Sequence, residues 1–112
     1  MKSVIGLYAY YAGPDHHVVD RLGLADPLLA RLPAEHDPSW RIGHFRRTVP
    51  ESYVRSVLSA RNGVADPELR ALYDLVRLAT RGPLWTVERW RAIWALNTGG
   101  YALDRERWRR AP

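Results

Sequence analysis

VIGLYAYY, residues 4–11, is an apolar and aromatic run whose only polar groups are the phenols of Tyr8, Tyr10 and Tyr11. It shows no clean alternation and ends at Gly13-Pro14, so it reads as a strand covered on both faces. That reading sets the fold class, because a buried strand requires a sheet. The same stretch follows Lys2 and can be weighed as a signal peptide. Three tyrosines and a single leucine make a poor hydrophobic region, and the buried strand fits better.

Downstream, Gly13-Pro14-Asp15 is a turn, since proline fixes φ and glycine tolerates unusual backbone angles. His17-Val18-Val19-Asp20 reads as a short second strand with two β-branched residues at its centre. Asp26-Pro27 opens a short helix with Leu28, Leu29 and Leu32 on its apolar side, and Pro33 stops it. Trp40 to Phe45, WRIGHF, is a candidate third strand, where Gly43 marks a bulge or a close backbone approach.

The second half is helical in pattern. Pro50 to Arg61 carries Tyr53, Val54, Val57 and Leu58 on one side and closes at Asn62-Gly63. Asp66-Pro67 starts the next helix, with Leu69, Leu72, Tyr73 and Val76 at i, i+3, i+4 and i+7, and Gly82-Pro83 ends it. Thr86 caps a last helix, in which Trp90 and Trp94 stand at i, i+4 and are expected to pack in the core. The expected fold is therefore α+β: short N-terminal strands followed by three to four helices. Residues 1–100 form one small domain, and residues 101–112 a basic, mobile tail.

Length and composition bound the function. The chain has 112 residues, which suits one domain. It has no cysteine, which excludes disulfides and thiolate metal sites. Its net charge of +5 would suit a polyanion. The basic residues are all arginine except Lys2, however, and are dispersed, as GC-rich coding produces whatever the function. The missing basic block argues against nucleic acid. No run approaches the roughly 20 apolar residues that span a bilayer.

Four residues are candidates for contact with a sugar or phosphate: Asp20, Trp40, His44 and Arg46. Asp20 sits at a strand's end, where ligands bind in open sheets; capping the turn over Gly23, or pairing with Arg21 or Arg31, is an equal reading. In WRIGHFRR, Trp40 and His44 can stack on a sugar and Arg46 can fork onto a phosphate, while a surface loop with a basic rim remains the alternative. His16 and His17 are adjacent and would face opposite sides of a strand, and no metal-ligand spacing occurs. No metal site and no cofactor is expected, and no catalytic residue stands out.

YYAGPDHHVVDRLGLADPLLARLP, WRIGHFRRTVPESYV and DPELRALYDLVRLATRGPLW together resemble the C-terminal region of polytopic actinobacterial membrane glycosyltransferases of the arabinofuranosyltransferase type. The resemblance covers Val4 to Trp85. It implies a soluble extracytoplasmic region behind a membrane body that uses a polyprenyl-phosphate sugar. That body, and the acidic loop residue that would serve as base, are absent from these residues. The implied role is a non-catalytic domain or fragment that binds a glycan acceptor or acts as a scaffold, with a glycan, a polyprenyl-phosphate sugar or the membrane body as partner. Self-association is a further possibility. Two alternatives stand beside it: a small basic nucleic-acid module, and a metal-dependent hydrolase using His16, His17, Asp20 and His44.

Overall fold

A computed structural model describes residues 5–35, 38–39 and 45–110. The chain divides into two compact units, Met1–Val49 with Trp108–Pro112, and Pro50–Arg107.

The α+β expectation is corrected: among the described residues there is no strand. The run read as the first strand is instead helix α1, Ile5–Ala12. Only Ile5 in α1 is β-branched, and Leu7, Ala9 and Ala12 are good helix formers. A strand needs a ladder partner for its N–H and C=O groups, whereas a helix satisfies them within itself. Among the described residues no such partner is present: Val18 and Val19 lie in irregular backbone, and so does Phe45. The rest of the third expected strand, residues 40–44, lies outside the described residues. Gly13, at φ 82°, takes up the left-handed turn after α1, with its N–H donating to the Ala9 carbonyl at 3.3 Å.

Among the described residues between α1 and Val49 the backbone is irregular, apart from a single 3₁₀ turn at Leu29–Arg31 where a short helix is expected. Leu28, Leu29 and Leu32 are its buried apolar residues, and the carboxylates of Asp20 and Asp26 are buried as well.

The second unit is helical: α2 Glu51–Ser59, α3 Pro67–Arg81 and α4 Val87–Thr98. Asp66 caps α3 by accepting from the Leu69 N–H at 2.8 Å, and Pro67 opens the helix where its missing N–H costs nothing. Leu69, Leu72, Tyr73 and Val76 are buried along one stripe of α3, which packs on α4. From α2, Tyr53 is fully buried and meets Tyr73 edge to face, with ring centroids 5.1 Å apart. The loop between α2 and α3 is locked by Ser56, whose hydroxyl donates to the Ser52 carbonyl at 2.6 Å and accepts from the Gly63 N–H at 2.9 Å. Ala60 ends α2 in the left-handed region at φ 57°, unusual for a residue with a Cβ. The basic C-terminal stretch contains α5, Arg105–Arg110, whose Arg107 pairs with Asp66.

The tryptophan expectation is also corrected. Trp90 and Trp94 are 56% and 72% exposed, and the buried stripe of α4 is Ala92 and Leu96. Spacing of i, i+4 shows that two residues share a face, not that the face points inward.

Candidate functional site

In the first unit the polar chemistry is organised by Asp20. One carboxylate oxygen accepts from the Leu22 N–H at 2.8 Å, and the other from Leu24 and Ala25 at 2.7 and 2.9 Å. The Asp20 carbonyl accepts from the Gly23 N–H at 2.9 Å, so the residue closes the turn with its backbone as well. Asp and Asn favour such loops because the short side chain reaches its own following amides. Gly23 stands in the left-handed region at φ 68°, and a Cβ there would lie 3.2 Å from the Ala30 Cα. The turn therefore needs glycine for both angle and space.

A second carboxylate repeats the device. One oxygen of Asp26 accepts from the N–H groups of Leu28 and Leu29, both at 2.9 Å, and the other lies 3.5 Å from His17 Nε2. His16 is exposed. Among the described residues no group of three His, Asp or Glu side chains could hold a metal ion, and His44 lies outside them.

Arg47 ties the Phe45–Arg47 segment to this framework. Its N–H donates to the Arg21 carbonyl at 2.7 Å and its Nε to the Leu32 carbonyl at 2.9 Å. Its Nη1 donates to the Phe45 carbonyl and approaches that of Leu22 at 3.5 Å. Burial lowers the Arg47 pKa from the ordinary arginine value, while the Asp20 carboxylate opposes the shift. The guanidinium stays protonated at neutral pH and also lies over the Phe45 ring, 5.8 Å from its centroid.

The four candidate residues fall into three situations. Asp20 is fully buried with both oxygens occupied by backbone amides. Arg46 has an exposed side chain, while its carbonyl accepts from the Glu35 N–H at 2.9 Å. Trp40 and His44 lie outside the described residues. Asp20 and Arg46 thus belong to one segment's support and its display, not to a joint surface. Arg47, the residue that links them, carries no mark in the sequence that separates it from Arg46. Thr48 Oγ1 adds a further tie, donating to the Glu35 carboxylate at 3.1 Å.

These elements define the chain as a small helical protein with an irregular, side-chain-braced unit that displays an arginine and an aromatic ring. Compared with family models, with curated proteins and with solved structures, the chain matches none. No described helix is long and apolar enough to cross a membrane.

Proposed function

We propose that this chain is a non-catalytic domain that binds a glycan acceptor, or serves as a scaffold, beside a membrane-bound glycosyltransferase. The observation that carries the reading is the Phe45–Arg47 segment. Arg47 ties it to the carbonyls of Arg21, Leu22 and Leu32, and Arg46 and the 41% exposed Phe45 are displayed on the same short segment. An arginine and an aromatic ring on one short segment suit a sugar that carries phosphate or carboxylate: the ring stacks and the guanidinium forks onto the acid. Trp40 and His44, close by in sequence, extend the same chemistry. Asp20 braces the turn whose Arg21 and Leu22 carbonyls receive Arg47.

The resemblance to arabinofuranosyltransferase-like proteins supplies the rest of the proposal. The ligand is a cell-wall glycan or a polyprenyl-phosphate sugar, and the place is the extracytoplasmic face of the membrane. In the whole transferase a base on the membrane body would take the proton of the acceptor hydroxyl as the polyprenyl phosphate leaves the anomeric carbon.

Titration of the 112-residue chain by calorimetry, with neutral and phosphate-bearing cell-wall oligosaccharides, tests the binding. Arg46→Ala is expected to weaken the phosphate-bearing ligand about tenfold, the loss of one charge-assisted contact, with the circular dichroism unchanged. Equal affinity in Arg46→Ala, Trp40→Ala and His44→Ala would remove the site. The DNA upstream of Met1 tests the transferase connection: an open frame encoding several spans of about 20 apolar residues supports it, and a stop codon just upstream removes it.

A further inference from the structure

The second unit carries a surface that the glycan reading does not use. Between Leu84 and Trp94 stand five large apolar side chains that are mostly exposed: Leu84 62%, Trp85 87%, Val87 60%, Trp90 56% and Trp94 72%. An exposed indole presents up to about 250 Å², so Trp90 and Trp94, one turn apart on α4, offer on the order of 300 Å². That is within the range of the largest apolar patch on a soluble monomer, a size that is often functional.

The stripe has a defined edge. At about 100° per residue, Trp90, Trp94, Val87 and Arg91 fall within about 100° of one another on α4, opposite the buried Ala92 and Leu96. Arg91 is the one charge on that arc, and Glu88 lies about 60° beyond it. Thr98 falls within the arc and Asn97 about 20° outside it, and each makes a bond back to the helix. Asn97 Nδ2 donates to the Ile93 carbonyl at 2.7 Å, and Thr98 Oγ1 to the Trp94 carbonyl at 2.9 Å. The face therefore combines bulky rings with one cation, and its small polar side chains each spend one donor on the helix backbone.

We propose that this face docks on an anionic lipid surface, with α4 lying in the plane of the headgroups. A bilayer interface takes indole rings at the headgroup level without a matching pocket and without directional hydrogen bonds. Its negative charge complements Arg91 and the chain's net charge of +5. A second copy would have to be self-complementary, and a two-fold pairing of this arc sets ring ridge against ring ridge and Arg91 near Arg91. The helix is twelve residues, about 18 Å, so it lies on the membrane and does not cross it. The proposal stands independently of the glycan site, since it uses none of its residues.

The test is sedimentation of the full 112-residue chain with vesicles of phosphatidylcholine alone and with 30 mole per cent phosphatidylglycerol. The expected result is binding to the anionic vesicles, weakened about tenfold or more in the Trp90→Ser/Trp94→Ser double variant and several-fold in Arg91→Glu. Because both tryptophans are exposed, the double variant should keep the wild-type melting temperature, and Trp90→Phe/Trp94→Phe should restore part of the binding. Four outcomes would overturn the proposal. They are no vesicle binding, binding equal in the double variant (which would assign it to another surface such as α1), binding that depends on salt but not on the tryptophans, and a dimer without lipid that the double variant abolishes.

Discussion

Asp20→Asn removes one charge and almost no volume, and it separates a structural carboxylate from a ligand-binding one. Asp20 is fully buried, and three N–H groups, of Leu22, Leu24 and Ala25, converge on it at 2.7–2.9 Å. A carboxylate can accept on both oxygens at once, whereas an amide presents one oxygen and one NH₂. In either amide orientation at least one backbone donor meets another donor. Losing a hydrogen bond to a charged group costs about 1.5–3 kcal/mol, and the facing donors add desolvation on top. Arg47 loses its nearby anion in the same change. We expect a total near 3 kcal/mol for Asp20→Asn and about 4 kcal/mol for Asp20→Ala, which leaves all three amides unpaired. Against a typical stability of about 5–15 kcal/mol this is a large fraction. Hydrogen exchange read at Leu22, Leu24 and Ala25 is the assay, with Asp15→Asn as an exposed control. Native-state exchange at these amides should accelerate by about two orders of magnitude. If Asp20→Asn leaves their protection within about 0.5 kcal/mol of wild type, the account of Asp20 as the turn's anchor is wrong.

Three further substitutions have definite signs. Ala60→Gly should stabilise the chain by about 1 kcal/mol in urea titration, because Ala60 holds φ 57° at the end of α2 and glycine takes that angle without strain. Gly23→Ala should destabilise by about 2 kcal/mol in the same titration, since it combines φ 68° with a Cβ 3.2 Å from the Ala30 Cα. Asp66→Ala removes the α3 cap and the partner of Arg107, and should cost about 1–2 kcal/mol by thermal melting. Asp66→Asn, which still caps, should recover most of that loss, and equal losses in the two variants would shift the weight to the ion pair.

The legible parts of the fold are those where one residue acts on its own neighbours. Asp66-Pro67 and Thr86 announce helix starts because a capping side chain reaches only two or three residues along. The α3 stripe is legible because four apolar residues at i, i+3, i+4 and i+7 have no second reading. VIGLYAYY carried no such constraint, since a short apolar run fits a buried strand and a helix equally. Its fate rested on whether a ladder partner existed elsewhere, which no local pattern reports. Trp90 and Trp94 show the same limit in a helix: their spacing fixed a common face, and only packing by Ala92 and Leu96 decided which face was inside. In the candidate site, the reading of Asp20 as a turn anchor was available beside the ligand reading, and three convergent amides now describe its surroundings. Arg47 is invisible as a support in the sequence because two adjacent arginines look alike until one is seen half-buried and bonded to backbone carbonyls.

The two units hold themselves together by different means, with consequences for their response to temperature. The second buries aliphatic and aromatic side chains from Tyr53 to Leu96, whose hydration on unfolding raises the heat capacity. After α1 the first unit relies on Asp20, Asp26 and Arg47 bonded to peptide groups, and exposing such polar surface lowers it. Its stability should therefore follow a flatter curve, losing little in the cold, where burial of apolar surface is weakest. The Phe45–Arg47 segment, braced in this way, should keep its shape across a wide thermal range without a large hydrophobic core.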